Sequence, residues 1–137
     1  MKRTLAAIAA ALITTAVASA QSYPGDAGLG TQRGIEQVNG SGQVGTVTLF
    51  RRGANTRVVV AMHGTPPGRI QSTRLYRGAA CDSLSASPAY VLADMHAGTS
   101  QTTLHADEGK LLSGNYNVVV FSNNKAGSAT TACGHLY

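Results

Sequence analysis

From residue 43 onward, apolar and polar side chains alternate in short runs, the period-two signature of strands with one buried face. The run 44–50 mixes Val, Thr, Leu and Phe and predicts a strand. Arg51-Arg52-Gly53-Ala54-Asn55 predicts a polar hairpin loop, and 57–63 the strand that follows. There Val58, Val60 and Met62 share the expected core face, with Arg57 and His63 on the other. Gly64-Thr65-Pro66-Pro67-Gly68 cannot continue a ladder, because proline lacks the donor. Further strands are predicted over 73–77, 89–94, 100–105, 116–121 and 128–133. In the first of these Leu75 points inward and Arg74 and Tyr76 outward. Leu111-Leu112-Ser113-Gly114 predicts a corner between two strands. After residue 20 no stretch keeps a helical period over about 11 residues. Seven to eight short strands joined by Gly and Pro turns predict an all-β chain, a Greek-key antiparallel sandwich or barrel.

The beginning of the chain follows a different pattern. Lys2 and Arg3 precede an apolar run over residues 4–17, and Ala18-Ser19-Ala20 is a small-x-small cleavage signal. This predicts a secretory signal peptide over residues 1–20, so the mature chain is expected to be secreted or periplasmic. Residues 21–42, with Pro24 and many Gly, predict an extended segment holding at most one edge strand at 35–38. The folded domain is expected over 43–137.

Composition narrows the function. The net charge of +5 falls to +3 once Lys2 and Arg3 leave with the leader. That is too weak a balance to argue for nucleic acid. Charged residues make up 12%, about half the ~25% of an ordinary domain, yet no second apolar run of ~20 residues follows that could span a membrane. The two cysteines, Cys81 and Cys133, meet an oxidising compartment and are expected to pair. The bond closes a long loop, worth roughly 4 kcal/mol on the chain-entropy account.

Three stretches carry a resemblance. They are Gly45-Thr-Val-Thr-Leu-Phe50, then Val58-Val-Val-Ala-Met-His-Gly-Thr-Pro-Pro-Gly68, then Arg74-Leu-Tyr-Arg-Gly-Ala-Ala-Cys81. With Leu111-Leu-Ser-Gly-Asn-Tyr-Asn-Val-Val-Val-Phe121 and Ala132-Cys-Gly134, the chain resembles the copper/zinc superoxide dismutase-like family over residues 38–136. Small exported bacterial members and chordin-type domains are the nearest in character. The resemblance implies a Greek-key sandwich pinned by Cys81–Cys133. It also implies where metals would sit. Two copper-ligand histidines of that family form His-x-His where this chain has Arg74 and Tyr76. A guanidinium does not deprotonate to become a ligand. A further copper ligand falls at Phe121, or at Val120 if the register slips by one. The bridging histidine and the zinc ligands lie in a loop that here holds the 12 residues 82–93, none of them His. The anion-guiding Arg is replaced by Thr130. The resemblance therefore implies the fold without the copper and zinc sites: no catalytic residues, no cofactor and no enzyme activity.

Other chemistry is sparse. No Gly-x-Ser-x-Gly elbow is present, and no Gly-rich phosphate loop precedes a helix. His63, His96, His105 and His135 are scattered. Met62-His63 and Met95-His96 offer a thioether and an imidazole, which suit Cu(I). On a strand the two side chains of such a pair point apart, so a core Met beside a surface His is the plainer reading. The alternative is a divergent periplasmic copper-binding protein or dismutase with a site rebuilt from His63, His96 or His105.

Arginine is the better lead. Arg51, Arg52 and Arg57 gather at one hairpin, and Arg69, Arg74 and Arg77 around the face where copper would have sat. These read either as a solvated basic rim or as a surface for an anion or a partner. Tyr76 and Phe121, rimmed by Arg69, Arg74 and Arg77, form the candidate interface for an envelope or extracellular partner, anionic or protein in nature. Two alternatives accompany it: the two rings are a packing plug under residues 122–130, or the chain forms a homo-oligomer through its strand edges.

Overall fold

The alternating runs become eight antiparallel strands, described here for residues 27–137 by a computed structural model. The expected leader and the start of the 21–42 segment lie outside the described residues. The strands are β1 (Ala27–Gln37), β2 (Val44–Arg52), β3 (Asn55–His63), β4 (Thr73–Arg77), β5 (Tyr90–Val91), β6 (Thr99–Leu104), β7 (Tyr116–Phe121) and β8 (Thr130–His135). They form one nearly closed, barrel-like sheet in the order β5-β4-β7-β8-β1-β2-β3-β6. The expected all-β class and the single disulfide are both present.

The interior follows from the alternation. Val47 and Leu49 of β2, Val58, Val60 and Met62 of β3, Leu75 of β4, and Val118 and Val120 of β7 are buried in one core cluster. The cluster also takes Ile35, Leu92, Met95, Leu104, Leu111 and Leu136.

Strand β1 departs most from expectation. In place of a short edge strand at 35–38, it runs 11 residues and lies between β8 and β2. It pairs with β2 from Ala27↔Arg51 to Ile35↔Gly45, then with β8 through Glu36↔Cys133 and Gln37↔Ala132. The folded unit therefore begins well before residue 43. Gly134 permits the transfer: a Cβ there would lie 2.3 Å from the Gly34 carbonyl oxygen, closer than any side chain tolerates.

Two further expectations are corrected. The corner at 111–114 is the end of a short helix, α1 (Glu108–Ser113). Asp107 caps it by accepting from the Gly109 N–H at 2.9 Å, and Leu111 plugs one end of the core. A helix this short cannot display a period. The hairpin after β2 is also tighter than Arg51–Asn55, because Arg52 pairs directly with Asn55 and only Gly53 and Ala54 turn the chain.

The sheet comes close to closing without an eighth ladder. β5 and β6, the two ends of the order, do not pair with each other. Between them Ser100 Oγ donates to the Ala93 carbonyl at 2.6 Å, and Thr102 Oγ1 accepts from the Ala93 N–H at 2.7 Å. Side chains thus satisfy the backbone at the seam. β5 is short because its register with β4 slips after Val91: Arg74 pairs with Val91 but Gln71 with Met95, one residue out of step, so the 89–94 run stays beside β4 without a continuous ladder.

Cys81 and Cys133 are bonded, with Cα atoms 6.1 Å apart. Cys133 sits on the outer face of β8, since its neighbours Ala132 and Gly134 serve the core side. The bond therefore holds the loop after β4 down on the outside of the sheet.

Two predictions follow from this architecture. Cys81→Ser should lower unfolding free energy by about 2–5 kcal/mol, read from denaturant melts. Thiol titration of unreduced, denatured wild type should find no free thiol. The second concerns the turn between β5 and β6, where His96 and Thr99 exchange two backbone hydrogen bonds of 3.0 Å. Ala97 (φ 48°) and Gly98 (φ 79°) both take left-handed conformations there, and that strains an alanine. Ala97→Asn should stabilise the protein by about 0.5–1 kcal/mol.

Candidate interaction surface

Strands β4 and β7 pair through Arg74↔Val119 and Tyr76↔Asn117. Leu75, Val118 and Val120 take the core, so Arg74, Tyr76, Asn117, Val119 and Phe121 face outward. This places Arg74, Tyr76 and Phe121 together, as expected from the sequence. The Tyr76 and Phe121 rings are 6.4 Å apart at 57°, and the Arg74 guanidinium carbon lies 5.3 Å from the Phe121 centroid. All three side chains are half-buried. The 122–129 turn is closed on itself by the Ser122 N–H donating to the Ala129 carbonyl at 2.8 Å, and it leaves Phe121 partly open.

The rest of this outer face is covered. Asn117 is fully buried: its Nδ2 donates to the Gly78 carbonyl at 2.8 Å, and its Oδ1 meets His135 Nδ1. His135 stacks with Tyr137 at 5.2 Å, and the Tyr137 hydroxyl donates to the Ala79 carbonyl. Together with the disulfide, these contacts fix the chain just after β4 over Asn117 and Val119. The covering stops at Tyr76.

Arg77 and Arg69 do not join the ring cluster. Arg77 turns to the opposite side, where Nη2 donates to the Tyr116 hydroxyl at 2.9 Å and the guanidinium lies 5.1 Å from that ring. The alternation dictates this, because Arg77 shares its side with Leu75. Arg69 is exposed in the loop before β4 and takes part in none of these ring contacts. In its place the structure supplies Val91, which pairs with Arg74 from β5 and is 66% exposed. Sequence reasoning passed over Val91, although Tyr90 and Leu92, packed on the core, leave it the outward position.

The second arginine group is engaged elsewhere. Arg51 Nε lies 3.5 Å from Glu108 Oε2, and Thr31 Oγ1 donates to Glu108 Oε1 at 2.7 Å. Arg57 points outward as expected, yet it is only 4% exposed: its guanidinium lies 4.4 Å over the Phe50 ring, with Nη1 3.4 Å from Gln101 Oε1. Phe50 in turn covers Gly30, whose missing side chain leaves room for the ring.

Of the histidines, His63 and His96 are exposed beside buried Met62 and Met95. Among the described residues no three His, Cys, Asp or Glu converge on one point.

Comparison with known protein families, with curated proteins and with solved structures finds no match in any of the three. The class is set by the fold alone, a disulfide-bonded antiparallel β-barrel or sandwich.

Burial raises the pKa of Tyr90 above its usual 10.0; the Tyr116 hydroxyl beside it pushes the same way, and Arg77 partly opposes. Tyr90 therefore stays neutral in the fold after it ionises in the unfolded chain. Its contribution to stability should be whole below about pH 10 and fall as pH rises through the folded value. Alkaline unfolding curves should show this loss in wild type and in Tyr76→Phe, and a smaller one in Tyr90→Phe.

Proposed function

We propose that this chain is an exported, non-catalytic binding module on a superoxide dismutase-like sandwich. Its contact surface is the outward side of β4 around Arg74, Tyr76, Phe121 and Val91. The carrying observation is the state of Arg74. Its guanidinium is laid against an aromatic ring, its Nε is buried with no hydrogen-bond partner, and no carboxylate among the described residues pairs with it. A half-buried arginine held against one ring and lacking an acid keeps its terminal Nη groups for an incoming carboxylate. Tyr76, Phe121 and Val91 supply apolar area around it, the residue mixture that dominates interface energetics. The partner is accordingly an envelope or extracellular protein with an exposed acidic group, and no cofactor takes part. Export rests on Lys2, Arg3, the apolar run and Ala18-Ser19-Ala20. The missing catalysis rests on Arg74, Tyr76 and Phe121 standing where the resembled family places copper ligands.

Affinity capture from the native envelope with wild type, Arg74→Glu and Tyr76→Ala tests the reading. A partner retained by wild type should be lost at least ~10-fold by Arg74→Glu, about 1.4 kcal/mol or more. Tyr76→Ala should weaken capture while its unfolding midpoint stays near that of wild type. A stability loss of roughly 2–4 kcal/mol with capture unchanged would make the rings a packing plug. Superoxide loss that saturates at one copper per chain would restore an enzyme reading.

A further inference from the structure

A buried polar node lies at the pole of the sandwich where β2, β4 and β8 begin and β7 ends. Gln43, Gln71, Thr73 and Thr131 are all buried there, Gln71 and Thr73 completely. Gln71 Nε2 donates to Gln43 Oε1 at 3.0 Å and to the Phe121 carbonyl at 2.7 Å. Both partners are acceptors, so the amide orientation of Gln71 is fixed by its network. Thr131 Oγ1 lies 3.0 Å from Gln43 Oε1 and 3.2 Å from the Val120 carbonyl.

Two atoms of the node remain without a protein partner, Gln71 Oε1 and Thr73 Oγ1. Their residues are two apart on extended backbone and so share a side. The chain between 92 and 95 runs alongside both. Gln71 exchanges backbone bonds with Met95 at 2.7 and 3.1 Å, and the Thr73 carbonyl accepts from the Leu92 N–H at 3.0 Å. Ser72, between them, takes the other side and reaches Asp94 Oδ1 at 3.4 Å.

An amide oxygen and a hydroxyl shut away unpaired would each cost about 1–3 kcal/mol. Interiors meet that cost with ordered water bonded to two or more polar groups. We propose that one structural water binds at this pole between Gln71 and Thr73. It donates to Gln71 Oε1 and accepts from the Thr73 hydroxyl. Because Gln71 also grips the Phe121 carbonyl, the water braces the end of β7 that carries Phe121. The inference is independent of the binding function proposed above.

Water-to-protein NMR cross-relaxation on the full folded chain tests it. A long-lived water should give cross-peaks to the Gln71 side-chain amide protons and the Thr73 methyl in wild type and in Thr73→Ser. Thr73→Val should lose them and melt about 4 °C or more lower. Absence of those cross-peaks in wild type overturns the proposal, whether or not any variant folds. So does a Thr73→Val protein that melts higher, since replacing a truly unpaired hydroxyl by a methyl of similar shape relieves a cost.

Discussion

The passage of β1 from one half of the sandwich to the other is the constraint on which the rest depends. Backbone pairs with β2 hold its first part and pairs with β8 hold its end, so two groups of strands become one continuous sheet. The step requires backbone to approach backbone at Gly34 and Gly134. With β1 in place, Ile35 enters the core and β8 is fixed beside β7. Cys133 then faces outward, where the disulfide can hold the loop after β4. At the opposite side of the barrel the closure is of another kind. Ser100 and Thr102 hydrogen-bond Ala93 and satisfy edge groups that would otherwise offer a template for another chain.

How far the outer face of β4 and β7 is covered follows from the same geometry. The disulfide, the Asn117–Gly78 bond and the Tyr137–Ala79 bond all act within a few residues of the end of β4. They bury Asn117 and Val119 and leave Arg74, Tyr76, Phe121 and Val91 less protected. The proposed contact surface is thus the part of one sheet face that the chain's own loop does not reach. Gln71 links this surface to the interior, since the carbonyl it holds belongs to Phe121.

Much of this was legible in the sequence. Period-two alternation located β2, β3, β4, β6 and β7 to within a residue or two, because a strand with one wet face must alternate. The same rule sent Arg74 and Tyr76 outward and Met62 inward. An expected export signal would place Cys81 and Cys133 in an oxidising compartment, and the two cysteines are bonded in the structure. The copper-ligand positions of the resembled family drew attention to Arg74, Tyr76 and Phe121, and the structure does bring those three side chains together.

What the sequence withheld depends on neighbours distant along the chain. β1 has few large apolar residues because much of its support comes from pairing on both sides, so its composition resembles a loop. Arg57 is buried because Phe50 lies beneath its guanidinium, a contact between paired strands. Arg77 and Val91 exchanged roles at the surface, since a side chain's partner is set by which strand lies next to it. By itself the sequence determined most of the strands after residue 43, their faces and the capacity for a disulfide, all properties of local periodicity and residue chemistry. Only the tertiary structure decided strand order, the side-chain seam at Ala93 and the polar node around Gln71, because those depend on which distant segments meet.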